Sequence, residues 1–159
     1  MKKVIRISAA IFAATALIGF VNFTQAAAPV KIAKKDVPEA VLSSFAKIYP
    51  QATIMTYSRE IRDGKTCYEL ESKDGTTKRD IIYATNGDVM EIEEAIKASE
   101  LPAIVMATLI KNYPKAKITA AEKLIKGTTV QYETTIKVKG KMIDLVFGET
   151  GELVKSVTK

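Results

Sequence analysis

The sequence predicts an α+β protein: two tandem units, each one helix plus a four-stranded antiparallel meander, forming one extended antiparallel sheet with helices on one face. Three observations carry this. The chain matches itself at a constant offset of 64 residues: Pro38 falls on Pro102, Val41 on Val105, Lys47 on Lys111, Tyr49-Pro50 on Tyr113-Pro114 and Ala52 on Ala116. The match continues through Ile54 on Ile118, Tyr68-Glu69 on Tyr132-Glu133, Asp80 on Asp144 and Gly87 on Gly151. Within each copy the apolar spacing changes from three-and-four to two. Finally, Asp63-Gly64, Asp74-Gly75, Asn86-Gly87, Gly127, Gly140 and Gly151 fall between the alternating segments, where tight hairpins need residues tolerant of positive φ.

The elements follow in order. Lys2, Lys3 and Arg6 precede the apolar run Ile7 to Val21, which ends in Thr24-Gln25-Ala26-Ala27-Ala28. This is the plan of a Sec-type signal peptide over 1–26, with cleavage expected after Ala26 because Pro29 would hinder a later cut. No cysteine stands at that point, so no lipid anchor is expected. No second run of spanning length follows, so the mature chain is expected to have no stable membrane insertion and to be periplasmic or secreted. After an N-terminal segment at 27–35, the first unit occupies 36–98 and the second 99–159. Each opens with a proline near a helix start, Pro38 or Pro102, with Asp36 or Ser99 as candidate cap. Val41, Leu42, Phe45, Ile48 and Tyr49 form one helical stripe, and Val105, Met106, Leu109 and Tyr113 form its counterpart; Pro50 and Pro114 stop the helices. Strands are expected at Ile54 to Ile61, Thr66 to Ser72, Lys78 to Tyr83 and Val89 to Glu93. Their counterparts are Ile118 to Ile125, Val130 to Val138, Met142 to Phe147 and Leu153 to Val157. Glu91 to Ser99 reads as the connector. One such unit makes a marginal core, so the two are expected to share a sheet.

Composition narrows the chemistry. Among 159 residues there is no histidine, no tryptophan and one cysteine, which excludes Ser-His-Asp and Cys-His nucleophiles, histidine bases and histidine or multi-cysteine zinc sites. No metal or other cofactor is expected. Cys67 lacks an activating base and reads as a small strand side chain. Asp88, Glu91, Glu93 and Glu94 lack the oxygen spacing of a calcium loop and read as a charged outer edge. Gly148 and Gly151 follow one strand and precede another, so they read as a turn and not a phosphate loop. Removing Lys2, Lys3 and Arg6 lowers the formal charge from +6 to +3. The remaining lysines are spaced singly through strands, so no nucleic-acid partner is expected.

Alternation then sorts the faces. Val130, Tyr132, Ile136 and Val138 point one way and Gln131, Glu133, Thr135 and Lys137 the other. If Tyr68 and Leu70 face a helix, Cys67, Glu69 and Glu71 face away, with Asp80 and Ile82 and, depending on register, Tyr57 and Arg59. Tyr57, Arg59, Cys67, Glu69, Glu71, Asp80 and Glu133 are therefore the candidate binding face, a mixture suited to protein contact. The plainer reading is a solvated face with cross-strand ion pairs.

The order Val37-Pro38-x-x-Val41, Tyr49-Pro50-x-Ala52, Tyr68-Glu69-Leu70, Ile81-Ile82-Tyr83 and Asn86-Gly87, repeated as Leu101-Pro102 through Gly151, resembles the PepSY-like family of exported bacterial proteins, described as β-lactamase-inhibitor-like. The resemblance covers Asp36 to the C-terminus and rests on structural positions. Relatives commonly carry a tryptophan in the first strand after the helix, where this chain has Tyr57 and Ala121. The resemblance implies a helix-and-sheet fold whose exposed sheet face grips a partner. The function expected is an exported non-catalytic binding module, protein-binding or inhibitor-like, with an envelope or secreted protein as partner. The alternative is a binder of a small molecule or envelope polymer that uses a cavity between helix and sheet or between the two copies, a reading that a pocket lined by Phe45, Tyr49, Tyr83 and Tyr113 would favour.

Overall fold

The computed structural model describes residues 29–158. The expected signal segment and its cleavage point lie outside them. A two-residue strand β1 (Val30–Lys31) and a 3-10 turn (Lys34–Asp36) lead into helix α1 (Glu39–Ile48) and strands β2 (Thr53–Arg62), β3 (Lys65–Asp74), β4 (Thr77–Ala84) and β5 (Val89–Ala95). A second 3-10 turn (Ala98–Glu100) leads into α2 (Ala103–Asn112), β6 (Lys117–Lys126), β7 (Thr129–Val138), β8 (Lys141–Gly148) and β9 (Leu153–Thr158). All nine described strands form one sheet in chain order, and every neighbouring pair is antiparallel.

Both helices cover the same face. Val41 and Phe45 of α1 are buried with Leu70, Ile81 and Tyr83, and Ile92 of β5 packs against this cluster. Ile92 stands opposite Ile125 of β6, and Ala121, four residues earlier on the same side of β6, is buried with Val105 and Leu109 of α2, Ile136, Leu145 and Phe147. The apolar stripes read from the sequence are thus two adjoining cores under two helices. Leu70, Ile81, Tyr83, Ile136, Leu145 and Phe147 are fully buried, which makes hydrophobic burial the main force holding helix to sheet.

Three expectations need correction. Strand β1 has no sequence signature; it is two residues long and pairs only with Ser58 and Arg59. The connector is shorter than Glu91 to Ser99, because β5 runs to Ala95 and pairs directly with β6 through Glu93, Glu94 and Ala95. Its charges resemble a linker, yet the alternation around Ile92 is that of a strand. Asp36 and Ser99 do not cap the helices. Both lie in the 3-10 turns, and Pro38 and Pro102 occupy the N-cap positions without any side-chain cap hydrogen bond. A 3-10 turn interposed before each proline moves the polar residue too far back to reach the first helical amides.

The turn after β4 comes close to α1. Gly87 has φ +87°, and a Cβ placed there would lie 2.5 Å from the carbonyl oxygen of Ala40. Gly151, at φ +84°, meets Ile104 of α2 in the same way, with a Cβ only 2.7 Å from Ile104 Cγ1. Close approach and positive φ together demand glycine at both positions.

Candidate functional site

No helix of the described chain covers the second face of the sheet, and hairpin geometry decides which side chains reach it. Asp63 (φ +50°) and Gly64 (φ +73°) form a two-residue turn between β2 and β3, which pairs Arg62 with Lys65 and fixes everything behind it. Glu60 then opposes Cys67, Ser58 opposes Glu69 and Thr56 opposes Glu71, while Tyr57 opposes Leu70 and Arg59 opposes Tyr68. Directly opposed residues share a face.

Two members of the expected binding face are thereby misplaced. Tyr57 and Arg59 belong to the helix side, where Tyr57 packs against the first core and Arg59 is exposed. The physical reason is the two-residue turn, whose count puts odd-numbered β2 residues opposite the even-numbered core residues of β3. Cys67, Glu69, Glu71 and Asp80 do lie together on the helix-free face. Glu133 lies on the same face further along, opposite Glu122 and Val146.

Glu60, Arg62, Glu91, Glu93 and Glu122, not assigned to this face from the sequence, complete the surface. Glu71, Asp80 and Glu93 stand directly opposite one another on β3, β4 and β5, a continuous row of three carboxylates. Glu69, Ile82 and Glu91 form the next row, and Glu122 faces Ala95 across β5 and β6. Arg62 is a cation paired within them. Its Nε lies 2.7 Å from Glu60 Oε1 and its Nη1 2.7 Å from Glu91 Oε2. Because β3 and β4 lie between β2 and β5, that arginine reaches across them, and on the same face Cys67 and Ile82 are completely buried although no helix covers them. The Cys67 thiol is free and sits 3.4 Å from Met90 Sδ. Counting back from the Asp63-Gly64 turn would have located Glu60 and Arg62 from sequence. Glu93 and Glu122 needed the β5–β6 pairing, which no turn encodes.

The electrostatics follow from this crowding. Burial, then the neighbouring charges of Glu91 and Glu122, push the Glu93 carboxyl up to about 7. Asp80 is raised by burial and then by Glu71, and Glu69 by burial and then by Glu60. No ion pair among the described residues reaches Glu71, Asp80, Glu93 or Glu122. These four carboxylates, with Lys78, Arg79 and Ala95, line a cleft of 340 Å³ between β3 and β6. Among the described residues no group of histidine, cysteine or carboxylate side chains converges closely enough to hold a metal ion.

The helix side is differently built. The Arg79 guanidinium lies 5.1 Å from the centre of the Tyr49 ring and pairs with Glu94, while burial raises the Tyr49 and Tyr83 hydroxyls. The four aromatics suggested as one ligand cavity do not form one. Phe45 and Tyr83 are inside the first core, with Tyr49 packed at its margin, whereas Tyr113 belongs to the second. A separate groove of 360 Å³ runs beside α1, bounded by Leu42, Phe45, Tyr49, Ile54 and Tyr57.

An antiparallel sheet with both helices on one face is an α+β fold. The chain belongs to the PepSY-like family of proposed beta-lactamase-inhibitor-like proteins, whose pattern matches residues 24–90 and 67–155. Its fold is similar to that of a BLIP-like protein from Bacteroides fragilis, at 19% identity and TM-score 0.62, covering 77% of this chain and 86% of that one. A DUF2874 family protein from Bacteroides uniformis matches at 13% identity and TM-score 0.67, over 77% of this chain and 89% of that one. A proposed periplasmic protein from Bacteroides eggerthii matches at 12% identity and TM-score 0.68, over 77% and 88%. No curated protein sequence matches the chain. Among the described residues no helix is long and apolar enough to cross a membrane.

Proposed function

We propose that this is an exported, non-catalytic binding module, built from two copies of one helix-and-meander unit, that docks on an envelope or secreted protein through its helix-free sheet face. The observation that carries the reading is the asymmetry of the sheet. One face is filled by two helices and closed cores, and the other presents Glu69, Glu71, Asp80, Glu93 and Glu122 with no helix over them. A surface of charged and apolar groups on a rigid ladder suits recognition, since the strands hold the side chains in register at little entropic cost. Export is supported by the signal-like segment at 1–26, and inhibitor-like docking by the family's description.

The test is capture from the native periplasm with three baits: the unaltered chain, Glu69→Arg/Glu122→Arg on the docking face, and Arg59→Glu on the helix side. A protein held by the first and third baits and lost by the second supports the reading. Capture that ignores the face substitutions, or depends on Arg59, refutes it. A second reading rests on the groove beside α1: its aromatic and aliphatic walls suit a small apolar ligand. Selective protection of Tyr57 from iodination by an envelope extract would favour it.

A further inference from the structure

The carboxylate row Glu71, Asp80 and Glu93 is an unfavourable arrangement for the isolated molecule. Like charges directly opposite one another on adjacent strands destabilise a sheet, and here two such pairs share Asp80. Elsewhere the same face shows the usual solution, with Arg62 bonding both Glu60 and Glu91. Around the row, Lys78 and Arg79 are the basic residues that line the cleft, and the Arg79 guanidinium is committed to Glu94 and Tyr49 on the other face. The cleft floor is therefore a strip of excess negative charge on a chain whose mature form is net basic. It spans four strands, which is the footprint of a polypeptide segment and not of a single ion. The carboxylates also do not converge on a point.

We propose that this strip receives a lysine- or arginine-rich segment of the partner protein, whose cationic side chains enter the cleft between β3 and β6 and neutralise Glu71, Asp80, Glu93 and Glu122. The inference rests on the docking face proposed above and specifies its partner's chemistry. A cationic segment relieves the repulsion that the empty face retains, so complementarity is gained where the free molecule is least favourable. It also makes binding depend on pH. The groups facing Glu93 are Asp80 and Lys78 from β4, Glu71 from β3, Glu122 from β6, Arg62 from β2 and Glu91 on its own strand. Burial, and then their net negative field, keeps Glu93 partly protonated near neutrality, and an arriving cation expels that proton.

The probe is fluorescein-labelled deca-lysine, titrated by anisotropy into the purified exported chain. Binding is expected to weaken at least tenfold in Glu71→Gln/Asp80→Asn/Glu93→Gln, and less than twofold in Asp36→Asn/Asp74→Asn/Glu149→Gln, which removes the same charge from exposed positions off the strip. Affinity of the unaltered chain is expected to rise from pH 6 to pH 8. The face variant removes repulsion and keeps side-chain shape, and a thermal melt no lower than that of the unaltered chain ties its weaker binding to lost charge. Equal weakening in both variants, affinity falling with pH, or a self-association abolished only by the face variant would each overturn the proposal. If capture remains face-dependent while deca-lysine does not discriminate, the docking face stands and its basic partner does not; failure of both removes the face itself.

Discussion

Thr134 Oγ1 and Tyr83 Oη are buried with no hydrogen-bond partner, one beneath each helix. A buried hydroxyl that has lost water and found no acceptor costs free energy, and an apolar residue of similar shape avoids that cost. Thr134→Val is expected to raise unfolding stability by about 1 kcal/mol in urea titration. Tyr83→Phe should act in the same direction, and the chain already places Phe147 at the position 64 residues later. Glu93 gives a pH-dependent case. Its carboxyl titrates near 7 in the folded chain, above the 4.5 of an unperturbed glutamate. The folded state therefore holds the proton more tightly, and stability falls as pH rises from about 4.5 through about 7. Glu93→Gln is expected to gain about 1 kcal/mol at pH 8, after allowance for solvent screening, and nothing at pH 4. A melting-temperature series across that range reads the difference. Neither effect is visible in the sequence, where Thr134 and Glu93 are ordinary strand residues; each depends on what tertiary packing places over the side chain.

At the scale of single elements, local rules were strong. Both helices begin just after a proline and end just before one, and all eight expected strands appear with small extensions at their ends. The failures came where an element depends on another part of the chain. Strand β1 exists because β2 offers an edge, and β5 extends because β6 pairs with it. The hairpin after β4 depends on α1 in the same way. Gly87→Ala must resolve a 2.5 Å contact with the Ala40 carbonyl as well as adopt positive φ, whereas a Cβ at Gly64 meets nothing within 4 Å. Denaturant unfolding should show Gly87→Ala costing about 2–3 kcal/mol, at least 1 kcal/mol more than Gly64→Ala, because only the first adds steric strain to the dihedral penalty.

Across the whole molecule, the ladder between β5 and β6 joins what would otherwise be two small helix-covered sheets. Ile92 opposite Ile125 carries the helix-side apolar layer across the join, and Glu93 opposite Leu124 carries the other face. The two cores are therefore expected to melt together. Calorimetry should give one transition whose van't Hoff and calorimetric enthalpies agree, and two separated transitions would show that the halves fold independently. The join also creates the candidate site: the cleft takes Glu71, Asp80 and Glu93 from one side and Glu122 from the other, so neither half has it alone.

Periodicity and turn chemistry determined the helices, the strands and the antiparallel order, because each is dictated by residues close together in the chain. The same signals indicated that one face of the sheet is polar, and the sequence excluded histidine-based chemistry outright. Tertiary structure alone decided that Arg62 spans β3 and β4, and that Glu93 and Glu122 join Glu71 and Asp80 along one cleft. Those facts depend on pairing between segments up to dozens of residues apart. Charge at such a site is set by burial and by neighbours in space, which is why Glu93, part of a cluster that reads as a solvated edge, has its carboxyl pushed up to about 7 once folded, with Asp80 and Glu69 raised beside it.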